Sequence, residues 1–171
     1  MQTTNRIFAL TFARMFIAFF VLLSMSAGCG AGEIPKEHQS FFSLPATQQH
    51  KELAKYPLER QVDIYVFAVT WFRPSAYGLG FSDDIAKHGQ AVVPILLDRF
   101  KTAPKDSHKQ AILHVFRDMV KFHHDFRDDK DTMDLLKQVV GSMKGSFSEE
   151  ESERLLKEIL TEPKKERARV P

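Results

Sequence analysis

The sequence predicts an all-α fold, a compact bundle of about five to seven helices. Apolar residues recur every three or four positions in several segments, and the connections between those segments are short. Prolines, glycines and Ser-Asp pairs stand where helices usually begin or end. With 43% hydrophobic and 27% charged residues over 171 positions, the composition is that of a globular domain.

The first half of the domain contains two short helices and a long one. The short helices are predicted near residues 36–42 and 46–55, because the residue before Pro45 is pushed out of the α region. A longer helix starts at Pro57, which suits a first helical position. A buried strand over residues 64–72 would show a similar apolar pattern. Helical spacing and an apolar stripe that covers most of the circumference favour a buried helix, as seen at Leu58, Val62, Tyr65, Val69 and Phe72.

The next segment reads as a loop followed by a short helix. SAYGLGF, residues 75–81, is predicted to be a loop with Tyr77 and Phe81 exposed or folded back. Ser82, followed by two aspartates, has the character of an N-cap with acids in the first helical turn. Gly89 is expected to end that helix.

Two further helices are predicted over residues 90–101 and from residue 106 onward. Pro94 must lie in the first turn of the former or kink it. Asp106 or Ser107 is expected to cap the latter, which has a one-sided apolar stripe and runs to His124. The segment GQAVVPILLDRF resembles the second helix of HEAT-type repeats. No repeat period near 40 residues is visible, so a compact bundle with a HEAT-like pair is expected.

The chain is predicted to end in two helices and a polar tail. One helix covers residues 130–144, and the acids before it suit a helix start. Ser148 and Glu151 form a capping-box pattern for the last helix, which Pro163 stops. Residues 162–171 form the tail.

The amino-terminal segment has the layout of a secretion signal. Arg6 and Arg14 precede about a dozen apolar residues, and no acid occurs before Cys29. A membrane-spanning helix needs roughly 20 apolar residues, so this run suits a signal core better. An uncleaved single-span anchor is the alternative interpretation.

The stretch LSMSAGC resembles a bacterial lipobox, although Ser26 stands where leucine is commoner. The resemblance implies that residues 1–28 are a signal peptide and that Cys29, the only cysteine, becomes acylated with diacylglycerol. Residues 29–36 then join the lipid to an all-helical domain over residues 37–161. The absence of aspartate after Cys29 implies the outer membrane, facing the periplasm, in a Gram-negative cell.

The charge balance argues against nucleic-acid binding. Arg6 and Arg14 account for two of the 24 basic residues, so the chain from Cys29 onward holds 22 basic and 22 acidic residues. A neutral domain lacks the broad positive field that binds a phosphate backbone. The candidate contact surfaces are smaller: the apolar loop residues Tyr77, Leu79 and Phe81, and the basic tail residues Lys164, Lys165, Arg167 and Arg169.

The histidines do not form a recognisable metal motif. At about 100° per residue, His123 falls in the apolar stripe of its helix, whereas His114 and Asp125 fall on the opposite, polar face. We therefore predict that His123 packs in the core and that His114 belongs to a solvated face with Asp118.

A second resemblance gives the enzyme alternative. The pair His124-Asp125 is similar to the His-Asp pair of HD-type phosphohydrolases, which are all-helical and bind metal. That resemblance implies His88, His124, Asp125 and a later acid such as Asp131 as ligands. The DDKD run at residues 128–131 lacks the glycine and the distal glutamate of a calcium loop.

The sequence thus favours a membrane-anchored, non-catalytic module that binds an envelope protein. It contains no GxSxG nucleophile motif and no phosphate-binding glycine loop. Neither a cofactor nor a small-molecule substrate is expected. Membrane lipid at Cys29 and a protein partner are the interactions that the sequence predicts.

Overall fold

The computed structural model describes residues 33–72, 76–144 and 146–164, without the side chains of residues 76–79 and 146–148. The chain divides into two units, Met1–Pro35 and Lys36–Pro171, and the fold described below is that of the second. None of the helices in these ranges has both the length and the apolar character needed to cross a bilayer.

The regular structure of the described residues is helical throughout, as the sequence predicts. A short 3₁₀ segment, Gly89–Val92, joins the fourth and fifth helices. The eight α-helices of these ranges are α1 (Lys36–Phe42), α2 (Ala46–Leu53), α3 (Leu58–Trp71), α4 (Ala76–Ala86), α5 (Val93–Thr102), α6 (Asp106–Lys121), α7 (Lys130–Ser142) and α8 (Ser146–Thr161).

Helix α6 is the centre of the domain and packs against α3, α4, α5 and α8. Seven of its apolar residues are buried, whereas Phe122, which the sequence assigned to the apolar stripe, follows the helix and is exposed. Asp118 is buried with the seven apolar residues at 3% exposure. The fold therefore covers the part of the predicted polar face that contains Asp118. The prediction of a solvated face with Asp118 is wrong.

Helix α3 is also covered on most sides, as predicted. No residue from 60 to 72 is fully exposed. Tyr65 is fully buried, and its hydroxyl donates a hydrogen bond of 2.7 Å to the carbonyl oxygen of Ala111 on α6. Burial raises the pKa of the Tyr65 hydroxyl, so the group remains a donor and fixes α3 against α6.

The segment around Ser82 differs from its prediction. Helix α4 begins at Ala76, so residues 76–81 of the expected loop are helical and Ser82 lies inside the helix; residue 75 is outside the described residues. The Ser82 hydroxyl is buried and donates to Asp118 at 2.5 Å, which gives the serine a partner on α6. Phe81 is also buried, against Phe41. Tertiary contacts thus override a local sequence signal for a helix start.

A tight turn joins α4 to α5. Gly89 has a φ of +59°, a left-handed conformation that glycine adopts at little cost. A Cβ at this position would lie 2.8 Å from His124 Nδ1, so the close approach of His124 also requires glycine. Pro94 lies in the first turn of α5, as predicted.

The ends of the last three helices correct some of the predicted caps. Helix α6 begins at Asp106 without a side-chain cap, so neither Asp106 nor Ser107 is the N-cap. Helix α8 begins at Ser146, which places Ser148 inside it and removes the predicted capping box. The acids before α7 behave as expected, since the Asp129 carboxylate accepts hydrogen bonds from the Asp131 amide at 3.1 Å and the Thr132 hydroxyl at 2.7 Å.

Arg127 closes the carboxyl end of α8. Its guanidinium donates to the carbonyl oxygens of Ile159 at 3.1 Å and Glu162 at 2.5 Å, groups that a helix end leaves without intrahelical partners. Asp125 holds the guanidinium in place through bonds of 2.5 and 2.8 Å. Hydrogen bonding to Arg127 lowers the pKa of Asp125.

Candidate functional site

A groove runs between α3 and the start of α6, and we call it the α3–α6 groove. Its outer lobe has a volume of about 500 Å³ and its inner lobe about 190 Å³. Val66 and His108 line both lobes, so the two lobes are adjacent. The outer lobe is lined by Val66, Phe67, Thr70 and Trp71 of α3 and by Lys105, Ser107 and His108 at the start of α6.

Stacked rings form the α3 wall of the groove. The rings of Phe67 and Trp71 stack with centroids 5.1 Å apart, as expected for residues four apart on one helix. His38 stacks on Phe67 at 4.2 Å, and Phe42 contacts Phe67 at 5.5 Å. Phe67 and Trp71 are both half-buried. Contacts with α1 hold Phe67, and Trp71 stacks on Phe67.

His38 supports this stack as a neutral ring. Its side chain is buried, and burial, followed by the nearby Arg60 charge, lowers its pKa. The imidazole therefore stays uncharged at neutral pH. Its Nδ1 atom has no hydrogen-bond partner among the described residues. The ring contributes packing to Phe67 and adds no positive charge to the groove.

The opposite wall carries the positive charge. Lys105 is exposed and forms no ion pair within the described ranges. Its acidic neighbour, Asp106, is already engaged by Lys109 Nζ at 3.1 Å and by the backbone amide of Lys144 at 3.3 Å. The Lys105 end of the outer lobe is therefore cationic.

The inner lobe is closer to electrical balance. Arg99 donates to the Asp63 carboxylate at 2.8 and 3.4 Å and to Asp98 at 2.9 Å. The hydrogen bond to Asp63 raises the pKa of Arg99 further above its ordinary value. Because its guanidinium is hydrogen-bonded to these two carboxylates, Arg99 contributes little net attraction for an incoming anion. Aromatic contact and cationic attraction thus coincide in the outer lobe.

The residues of the phosphohydrolase alternative have other partners. His88 Nε2 lies 3.1 Å from Gln61 Oε1, His124 packs on Gly89, and Asp125 is bound to Arg127. Asp131 is exposed in the first turn of α7. The described residues contain no group of three or more His, Cys, Asp or Glu side chains placed to bind a metal ion.

Two histidine predictions are corrected. Helix α6 ends at Lys121, and His123 follows with a φ of +63°, so the helical angle no longer applies and His123 is exposed instead of packed in the core. His114 is half-buried, and its Nδ1 has no hydrogen-bond partner in the described part of the chain. Burial lowers the pKa of His114, so this residue is not on a solvated face.

Other predicted contact residues fall in different places. Phe81 is buried in the core and cannot be an exposed contact. Lys164 pairs with Asp128 at 2.5 Å. Cys29, the predicted signal peptide and the rest of the basic tail lie outside the described residues, as do the side chains of Tyr77 and Leu79.

The sequence did not indicate the groove. Phe67 and Trp71 belong to the predicted apolar stripe of α3, and nothing in that stripe distinguishes a half-exposed ring from a buried one. Lys105 is about 35 positions further along the chain. The four-residue spacing of the two large rings was the available signal. No known protein family, curated protein or solved structure matches the chain.

Proposed function

We propose that the chain is a lipid-anchored, non-catalytic helical module that binds a protein partner in the bacterial cell envelope. The observation that carries the protein-binding part is the α3–α6 groove, where half-exposed aromatic rings face a lysine without an ion pair among the described residues. Aromatic side chains that remain partly exposed on a rigid surface are typical of protein interfaces.

The anchoring part of the proposal rests on the sequence. The lipobox-like LSMSAGC makes Cys29 the site of acylation, and more than one acyl chain gives stable membrane attachment. The seven residues from 30 to 36 span at most about 25 Å when extended. The domain would then remain near its membrane, which we propose is the outer membrane on its periplasmic side.

Two measurements test this proposal. Mass spectrometry of the mature amino terminus is expected to find Cys29 as an acylated first residue, and an unmodified peptide running through Cys29 would contradict the anchor. The second measurement is a pull-down from chemically crosslinked, solubilised envelopes, with Cys29→Ala as the unanchored control. A partner is expected to be enriched with the natural chain. If neither the natural chain nor Cys29→Ala enriches a protein above empty beads, the protein-binding role is refuted, whereas equal capture by both chains would refute only the need for the anchor.

A further inference from the structure

The α3–α6 groove also indicates what kind of segment it binds. We propose that it takes an acidic segment of the partner protein that presents one aromatic side chain beside glutamate or aspartate. This inference rests on the proposed protein-binding function and adds the site and the chemistry of the ligand. The aromatic side chain would contact Phe67 and Trp71, and the carboxylates would face Lys105.

The ring stack supports the aromatic part of this proposal. Phe67 is held from one side by His38 at 4.2 Å and from another by Phe42 at 5.5 Å, while its stacking on Trp71 at 5.1 Å continues the surface. Rings fixed before binding lose little conformational freedom when a ligand arrives. The outer lobe, at about 500 Å³, is within the usual size range of ligand pockets, so it has room for an aromatic side chain.

Charge complementarity supports the acidic part. Lys105 has no ion pair in the described ranges, and the carboxylate of Asp106 is held by Lys109 and the Lys144 amide. Arg99 is already bound to Asp63 and Asp98. An incoming carboxylate therefore meets uncompensated positive charge at the Lys105 end. A cationic segment would be attracted by the Trp71 ring but repelled by Lys105.

The adjacency of the two lobes favours a polypeptide segment over a single compact ligand. Val66 and His108 line both lobes, so the second lobe, with Thr102 and Arg99, lies directly beside the first. An extended chain can place successive side chains in two neighbouring lobes of this kind. We therefore assign the acidic, aromatic character to a stretch of chain and not to one functional group.

The experiment uses the full-length protein in detergent and the fluorescein-labelled peptide Ser-Gly-Glu-Glu-Trp-Glu-Gly-Ser. Fluorescence anisotropy is expected to show binding that weakens as salt rises, because the Lys105 contact is exposed and screened. Replacing the tryptophan of the peptide by alanine, or its glutamates by lysine, is expected to weaken binding at least about tenfold. Amide chemical shifts of the protein should change at Phe67, Trp71 and Ser107.

Variants of the protein locate the site. Trp71→Ala is expected to weaken binding about 30-fold, as loss of an aromatic anchor usually does. Since this change can also disturb packing, Lys105→Glu provides an independent test at an exposed position, with about a tenfold loss expected. Lys130→Glu, at an exposed lysine that begins α7, is the matched control and should bind normally. Circular dichroism checks that each variant is folded.

Several outcomes would overturn the assignment. They are equal binding of the lysine peptide, unchanged affinity in folded Lys105→Glu, or chemical shifts confined to other surfaces. Binding to vesicles of phosphatidylglycerol and phosphatidylethanolamine that is lost in Lys105→Glu, without peptide binding, would assign the groove to lipid instead. If the envelope partner is still captured by Lys105→Glu and Trp71→Ala, the groove inference fails while the proposed function stands.

Discussion

Substitution of Asp118 should reveal how far the buried polar contact between α4 and α6 stabilises the domain. The Asp118 carboxylate is 3% exposed, accepts the Ser82 hydroxyl at 2.5 Å, and accepts two hydrogen bonds from Arg117 at 2.7 and 2.9 Å. Asp118→Ala removes the acceptor from both partners. Ser82 lies fully inside the fold, whereas Arg117 keeps some contact with water.

The expected loss follows from these contacts. A hydrogen bond to a charged group contributes about 1.5–3 kcal/mol, and a buried donor left without that acceptor is costly. Because Arg117 can turn to solvent, we count the Ser82 contact fully and the Arg117 contact in part, which gives about 3 kcal/mol. For a domain of this size, such a loss corresponds to a fall in Tm of about 10 °C.

Urea unfolding followed by circular dichroism measures this loss. Asp134→Ala is the matched control, since Asp134 is an exposed aspartate on α7 and its removal should change stability by less than about 0.5 kcal/mol. A double-mutant cycle with Ser82→Ala should give a coupling of at least about 1 kcal/mol. If Asp118→Ala lowers stability no more than Asp134→Ala, the buried contact does not stabilise the fold as argued.

Three further predictions concern the turn before α5 and two titrating residues. Gly89→Ala should lower the free energy of unfolding by about 1–3 kcal/mol in thermal unfolding, because φ is +59° and the new Cβ would meet His124. In the double variant with His124→Ala, only the loss caused by the clash with His124 should be recovered, and the loss caused by the backbone conformation should remain. Hydrogen bonding to Arg127 lowers the pKa of Asp125, so the ionised Asp125 stabilises the folded state above the ordinary carboxyl pKa, and this stabilisation is lost as pH falls towards the lowered value. The urea midpoint of Arg127→Gln should therefore fall less between pH 6 and pH 3 than that of the natural chain. An identical fall in the two proteins would contradict the reasoning. Burial lowers the pKa of His114 below 6.5, so the contribution of the neutral His114 to the free energy of unfolding is complete above pH 6.5 and is lost as pH falls below that value. His114→Gln should therefore reduce the change in stability between pH 7.5 and pH 5.5. An unchanged slope would show that His114 is not the titrating group.

Periodicity predicted the helices because it reports which residues of one helix share a face. The boundaries of α1 and the placement of Pro94 in the first turn of α5 were confirmed, since proline geometry and short apolar repeats are local properties. The surroundings of α6 could not be predicted in this way, because they depend on residues that are distant along the chain. Asp118, on the predicted polar face of this helix, is buried, and one of its partners is Ser82 of α4, which lies 36 positions away along the chain.

Local signals also misplaced several helix ends. Ser82 followed by two aspartates has the pattern of an N-cap, yet burial of Phe81 and the bond to Asp118 make this serine an interior helical residue. Extrapolating one helical angle to His123 failed because the chain leaves the helix after Lys121. The groove was missed for a related reason: its two walls come from separate helices, and only folding places Lys105 opposite Trp71.

The stack of Phe67 on Trp71 has a spectroscopic consequence. The chain contains one tryptophan, and that residue lines the α3–α6 groove. Intrinsic emission excited at the red edge of protein absorbance therefore comes from a single ring, without contributions from other indoles. An occupant that excludes water from this ring should shift its emission to shorter wavelength, so the unlabelled protein can be titrated with ligands that lack tryptophan.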